Sequence, residues 1–151
     1  MPTHFTGSRA EVRTLDTFIT LTRCINSLFA RLADRNTLGD ITPSQFAVLE
    51  ALYHLGSLTQ GEVSQKVLKS GSNITTVIDN LERLGLVRRA RDASDRRVIH
   101  IHLTAAGTAR LEAVLPGHVA ALVDEFSVLS ASEQETLAEL CKKLGRGQSA
   151  L

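Results

Sequence analysis

A chain of 151 residues, 43% hydrophobic and 22% charged, has the balance of one ordinary globular domain with a normal core. No apolar run approaches the roughly 20 residues that span a bilayer and no basic-then-apolar leader opens the chain. Two cysteines 117 positions apart fit no metal spacing; a cytoplasmic protein without membrane partners is therefore expected. The net charge of +1 is uninformative, but its distribution is not: residues 1–55 balance, residues 56–104 carry +3 and residues 105–151 carry −2.

Residues 9–35 set Leu15, Phe18, Leu21, Ile25, Phe29 and Leu32 at helical spacing and predict a long amphipathic helix. Thr42-Pro-Ser-Gln45 supplies an N-cap, a proline at the first helical position and a glutamine at the third. It opens a helix to about Leu55 with Phe46, Leu49, Leu52 and Tyr53 inward. Thr59-Gln-Gly-Glu62 is a second capping box, for a short helix to about Val67. Lys69, Ser70 and Gly71 turn the chain into a third helix. There Ile74, Val77, Ile78, Leu81 and Leu84 share one face, and Ser72, Thr75, Thr76, Asp79 and Arg83 share the opposite one. A flat, hydroxyl-rich face ending in arginine suits close approach to phosphates and base edges in a major groove. The arrangement reads as helix-turn-helix.

After Gly85 the helical period stops. Leu86–Ala90 and Val98–Leu103 read as strands around a polar tip, Arg91-Asp-Ala-Ser-Asp-Arg-Arg97. Arg83, Arg88, Arg89, Arg91, Arg96 and Arg97 fall within fifteen residues, opposed in the hairpin by Asp92 and Asp95. Arginines this dense repel one another unless an anion meets them; the alternative is a solvated loop balanced by its own aspartates. Residues 105–127 predict a second long helix, kinked at Pro116. Ser130-Ala-Ser-Glu133 caps a last helix to about Gly145, with Leu137, Leu140, Cys141 and Leu144 on its apolar stripe and Cys141 read as a small core residue.

The expected fold is mainly α with a small β-hairpin wing, in a single domain over 1–151. A winged helix-turn-helix lobe would occupy 36–104, and a helical dimerisation lobe 9–35 with 105–145. The terminal stripes lack an evident core of their own, and a second copy of the chain is the economical cover; a self-contained helical lobe is the alternative.

From residue 9 to about 145 the chain resembles the MarR family of bacterial transcriptional regulators. The most specific part is Ser70-Gly-Ser-Asn-Ile-Thr-Thr-Val-Ile-Asp-Asn-Leu-Glu-Arg-Leu-Gly-Leu-Val87, then Asp95-Arg96-Arg97, then Leu103-Thr104-Ala-Ala-Gly107. The family's wing carries an Asp-x-Arg element whose arginine lies seven residues before a Leu-Thr threonine, as Arg97 does before Thr104. The resemblance implies a homodimeric repressor on an inverted-repeat operator in double-stranded DNA. Its hydroxyl-faced helices would enter major grooves, with Arg97 in a minor groove, oriented by Asp95. It also implies release by a small aromatic or phenolic effector. The family's peroxide-sensing branch keeps its cysteine early in the first helix beside tyrosines. Cys24 lies about two turns later and Tyr53 is the sole tyrosine, which argues against that branch. Zinc-sensing members pair histidines in the fifth helix, where this chain has His118 alone.

The candidate DNA-binding residues are thus Ser70, Ser72, Asn73, Thr75, Thr76, Asp79, Arg83, Arg88, Asp95, Arg96 and Arg97. Asn73 suits an adenine edge and threonine methyls suit thymine; Asp79 either holds Arg83 or accepts from cytosine. Candidate effector-pocket residues are Arg23, Cys24, Phe46, Glu50 and His54. His100 and His102 share a strand face without a third ligand, so no metal is expected. No cofactor and no catalysis are expected, since the chain lacks a nucleophile–base pair and a glycine-rich phosphate loop. The alternatives are a redox-responsive regulator acting through Cys24, a winged-helix protein-interaction module that does not read DNA, and histidine chemistry in a cleft.

Overall fold

Hydroxyl side chains that take up free backbone N–H groups set where most of the helices begin. The computed structural model describes residues 4–67 and 74–147. In chain order the elements are α1 (Arg9–Asp34), α2 (Pro43–Leu55), β1 (Leu58–Thr59), α3 (Gln60–Lys66), α4 (Ile74–Arg83), β2 (Val87–Arg91), β3 (Ile99–Leu103), α5 (Ala105–Phe126) and α6 (Ala131–Arg146). Thr42, Thr59 and Ser130 form the three expected capping boxes, with Gln45, Glu62 and Glu133. Ser8 with Glu11 forms a fourth, on α1. The chain divides into two compact units. One is Thr37–Val119; the other joins the residues up to Asn36 with those from Ala120 onward.

In the Thr37–Val119 unit the three strands are antiparallel in the order β1-β3-β2. The hairpin register sets Val87 opposite Leu103 and Arg89 opposite Ile101, and β1 adds Leu58 opposite Ile101. Val48, Leu49, Val63, Ile78, Leu81, Val87, Ile101 and Leu111 are fully buried together. At roughly 1.5–3 kcal/mol for each such side chain, this shared core is what holds α4 and the hairpin. Two inward assignments shift. Val48, not Tyr53, completes the buried stripe of α2, and the half-exposed Tyr53 hydroxyl instead donates to Glu112 Oε1 at 3.0 Å. Leu84 is 57% exposed because α4 ends at Arg83 and the chain then turns through Gly85 at φ +73°. There Leu86 N–H donates back to the Leu81 carbonyl at 2.9 Å and closes the helix end.

The turn after α4 is locked to the start of α5. Thr104 N–H donates to the Leu86 carbonyl at 3.1 Å, and Thr104 Oγ1 donates to the Gly85 carbonyl at 2.7 Å. The same Oγ1 accepts from Gly107 N–H at 3.0 Å and so caps α5. A Cβ on Gly107 would lie 2.0 Å from the Leu86 carbonyl oxygen, so only glycine allows the approach. At the other end of the unit, Thr37 Oγ1 and His118 Nδ1 are 2.9 Å apart, and the imidazole lies 4.8 Å from the Phe46 ring. Burial pushes the His118 pKa below its ordinary value, with Glu50 opposing.

In the other unit, Arg31 Nε meets Glu125 at 2.5 Å, and Arg35 meets Asp124 at 2.7 Å and Glu125 at 2.8 Å. The Arg31 hydrogen bond is the main cause holding the Glu125 carboxyl below its usual range. Large apolar side chains stay exposed on all three helices here, among them Phe18, Phe29, Val123, Leu140 and Leu144. Cys141, read as a core residue, is exposed in the single chain, as are the other residues of α6. α5 runs through Pro116 without interruption. Among the described residues, no single helix is long and apolar enough to cross a membrane.

Two expectations follow for stability. Gly107→Ala should cost about 1–3 kcal/mol by overpacking, read from the denaturant midpoint, whereas Gly61→Ala, which meets nothing within 4 Å, should be neutral or stabilising. His118 has a folded pKa below its unfolded one, so its contribution is complete above the ordinary histidine range and is lost as pH falls through it. The thermal midpoint should therefore drop between pH 7.5 and 5.5 (about one unit either side of the ordinary histidine value), and less steeply in His118→Gln. A residual slope belongs to His102, whose pKa burial also lowers.

Candidate nucleic-acid interface

Among the described residues the carboxylates of the α4–hairpin segment are engaged internally, and of its guanidinium groups only that of Arg89 pairs with them. Arg89 sits on the same face of β2 as the core residue Val87, so its side chain turns toward α4. Its Nη1 donates to Glu82 Oε2 at 2.6 Å and its Nη2 to Asp79 Oδ1 at 2.6 Å, while its backbone N–H donates to Glu82 Oε1 at 2.9 Å. The backbone bond from Arg89, then the side-chain one, hold the Glu82 carboxyl below its usual range. Burial pulls the Arg89 pKa down, but the bonds to Asp79 and Glu82 outweigh it and raise the value.

At the hairpin tip, Asp92 accepts from Ser94 Oγ at 2.5 Å, Ser94 N–H at 2.8 Å and Asp95 N–H at 3.1 Å, with His100 Nε2 at 3.1 Å. These bonds, the Ser94 hydroxyl's first, hold it well below the usual carboxylate range. Asp95 accepts from Arg97 N–H at 2.9 Å. The resemblance implies that Asp95 orients the Arg97 side chain. The segment is a turn, since β3 begins at Ile99, and what Asp95 holds is the Arg97 backbone. Among the described residues, Arg88, Arg91, Arg96 and Arg97 are exposed and have no carboxylate partner.

On α4, Thr75 and Thr76 are exposed, and Thr75 Oγ1 accepts from Gln60 Nε2 of α3 at 2.7 Å, which ties α3 to α4. Ser70, Ser72 and Asn73 lie outside the described residues. The Asp79 assignment changes. It neither holds Arg83 nor stands free, because Arg89 occupies it, and Arg83 Nη2 donates instead to Asn80 Oδ1 at 3.0 Å. Sequence reasoning missed Arg89 as a partner for α4. The alternation Val87, Arg89 along β2 was the signal for it.

The expected effector residues are placed separately. In the Thr37–Val119 unit, Phe46 packs against the core, and Glu50 and His54 are exposed one turn apart on α2, with Glu50 Oε1 3.9 Å from His54 Nε2. In the other unit Arg23 and Cys24 are exposed on α1, and Cys24 lines an open groove of about 880 Å³ with Arg9, Arg13, Leu21 and Leu137. Among the described residues no group of histidine, cysteine and acidic side chains is placed to hold a metal.

Comparison with known proteins agrees with this geometry. The model of the MarR family (MarR_2) matches residues 39–98. The HTH-type transcriptional regulator MhqR of Bacillus subtilis is 34% identical over 133 residues, covering 88% of this chain and 92% of its own. The HTH-type transcriptional repressor MdtR of the same organism is 34% identical over 106 residues, covering 70% and 68%. Among solved structures, the PcaV transcriptional regulator of Streptomyces coelicolor in complex with its natural ligand superposes with a TM-score of 0.73 at 26% identity, covering 84% of this chain and 90% of that one. A mainly helical fold with a three-stranded hairpin sheet, a helix-turn-helix core that fits the family model and relatives that align along most of their length lead to one conclusion: the chain belongs to the MarR family and is a DNA-binding transcriptional regulator, not an enzyme.

Proposed function

We propose that the chain is a cytoplasmic, homodimeric repressor that holds an inverted-repeat operator through α4 and the hairpin and releases it when a small aromatic or phenolic molecule binds. The observation that carries the DNA contact is the outward set Arg88, Arg91, Arg96 and Arg97 beside Thr75 and Thr76, with the local carboxylates engaged. Arg97 is the side chain proposed for a minor groove, where a guanidinium meets a strong negative potential. Arg83, Ser70, Ser72 and Asn73 complete the proposed contact surface. The repressor reading has support from MdtR, which is named a repressor, and the ligand reading from PcaV, whose structure holds its natural ligand. Homodimerisation has support from the exposed Phe18, Phe29, Val123, Leu140 and Leu144. Phe46, Glu50 and His54 in the Thr37–Val119 unit are proposed to meet an effector, and Arg23 and Cys24 in the other unit are proposed as a separate contact. Oxidation at the exposed Cys24 is the second reading of regulation.

Two measurements test this. Arg97→Ala should weaken binding to a duplex selected from a random pool by about 1–3 kcal/mol. Asp95→Ala should weaken it too, although it removes a negative charge, because Asp95 fixes the Arg97 backbone. Tighter binding after the loss of Asp95 would leave simple repulsion as its role. Sedimentation at micromolar concentration should give twice the 16.4 kDa chain mass, and a monomer there would remove both the dimer and the inverted repeat.

A further inference from the structure

We propose that Arg89 is a positioning residue that makes α4 and the hairpin a single rigid DNA-reading element, by bridging Asp79 and Glu82 on one side and β2 on the other. This rests on the DNA-contact reading above. Three bonds of 2.6–2.9 Å join one residue of β2 to two carboxylates of α4, and the Arg89 side chain is only 23% exposed, against 59% for Asp79 and 39% for Glu82.

Asp79 and Glu82 are three residues apart on α4, so they are neighbours of like charge. Both lie in the C-terminal half of the helix, where the helix dipole disfavours a carboxylate. Asp79 also shares a helix face with Thr75 and Thr76, the face proposed to approach phosphates. Left unpaired, the two carboxylates would repel each other and the nucleic acid. Arg89 bridges the two and offsets one of their two charges. It leaves Arg88, Arg91, Arg96 and Arg97 free of internal partners among the described residues. Because its planar fork reaches both carboxylates at once while its own backbone N–H binds Glu82, the angle between α4 and β2 is fixed at three points. The helix contacts and the wing contacts then sit at one spacing. Arg89 does not touch DNA in this role; it acts through the carboxylates.

The test is a substitution made in two backgrounds. Affinity is measured for a labelled duplex recovered from a random-sequence pool by the unsubstituted chain, at a temperature where every variant is folded by circular dichroism. Arg89→Met should weaken binding roughly tenfold or more in the native background. In an Asp79→Asn, Glu82→Gln background, with no charge to neutralise, the same change should cost less than about threefold. The slope of affinity against salt should stay the same in both backgrounds, since no phosphate contact is removed. An equal loss in the two backgrounds with a shallower salt slope would make Arg89 a direct phosphate contact and overturn the proposal. No loss in the native background would overturn it as well. Should Arg89→Met not fold, Arg89→Lys, which keeps the charge and loses the fork, is read by the same criteria. If the unsubstituted chain recovers no duplex at all, the DNA-contact reading fails first and this inference fails with it.

Discussion

The crossing of Gly85–Leu86 with Thr104–Gly107 is the constraint on which the placing of α4 against the hairpin depends. One threonine satisfies two carbonyls of the turn after α4 and caps the next long helix, and a glycine without a Cβ lets the two backbones meet. The exit of the hairpin is thereby pinned to its entrance. With Val87, Ile101, Ile78 and Leu81 fully buried in one core, neither α4 nor the wing can change its place alone.

On that frame the charges are sorted by direction. The carboxylates are paired within the module, Asp79 and Glu82 with Arg89, Asp92 with the turn N–H groups, and Asp95 with the Arg97 backbone. Arg88, Arg91, Arg96 and Arg97 are left outward. A net charge of +1 over the whole chain therefore understates the local field. The same acidic residues that look like counterweights in the sequence are what hold the basic surface in shape.

Much of the fold was legible because capping and periodicity are local. Thr42, Thr59 and Ser130 announced three helices through a pattern four residues long. The Ser8 box went unread because α1 was placed by its apolar spacing alone. The two-residue strand Leu58–Thr59 is too short to alternate, and its pairing with β3 spans forty residues of chain. The hydroxyls and arginines of α4 and the hairpin were legible as residues, while the pairing among their charges was not. Asp79 was matched to Arg83 on helical spacing, and only the packing of β2 against α4 brings Arg89 to it. Cys141 is exposed in the single chain along with its stripe, since an apolar stripe shows what must be covered and not what covers it.

The most direct measurement is amide hydrogen exchange of the chain with and without a bound duplex, followed segment by segment. Slowed exchange on DNA binding should concentrate in α4 and in the hairpin tip from Arg91 to Ile99, with both protected at the same duplex concentration. Protection confined to α1 and α6, or α4 protected without the hairpin, would contradict a single helix-and-wing reading element.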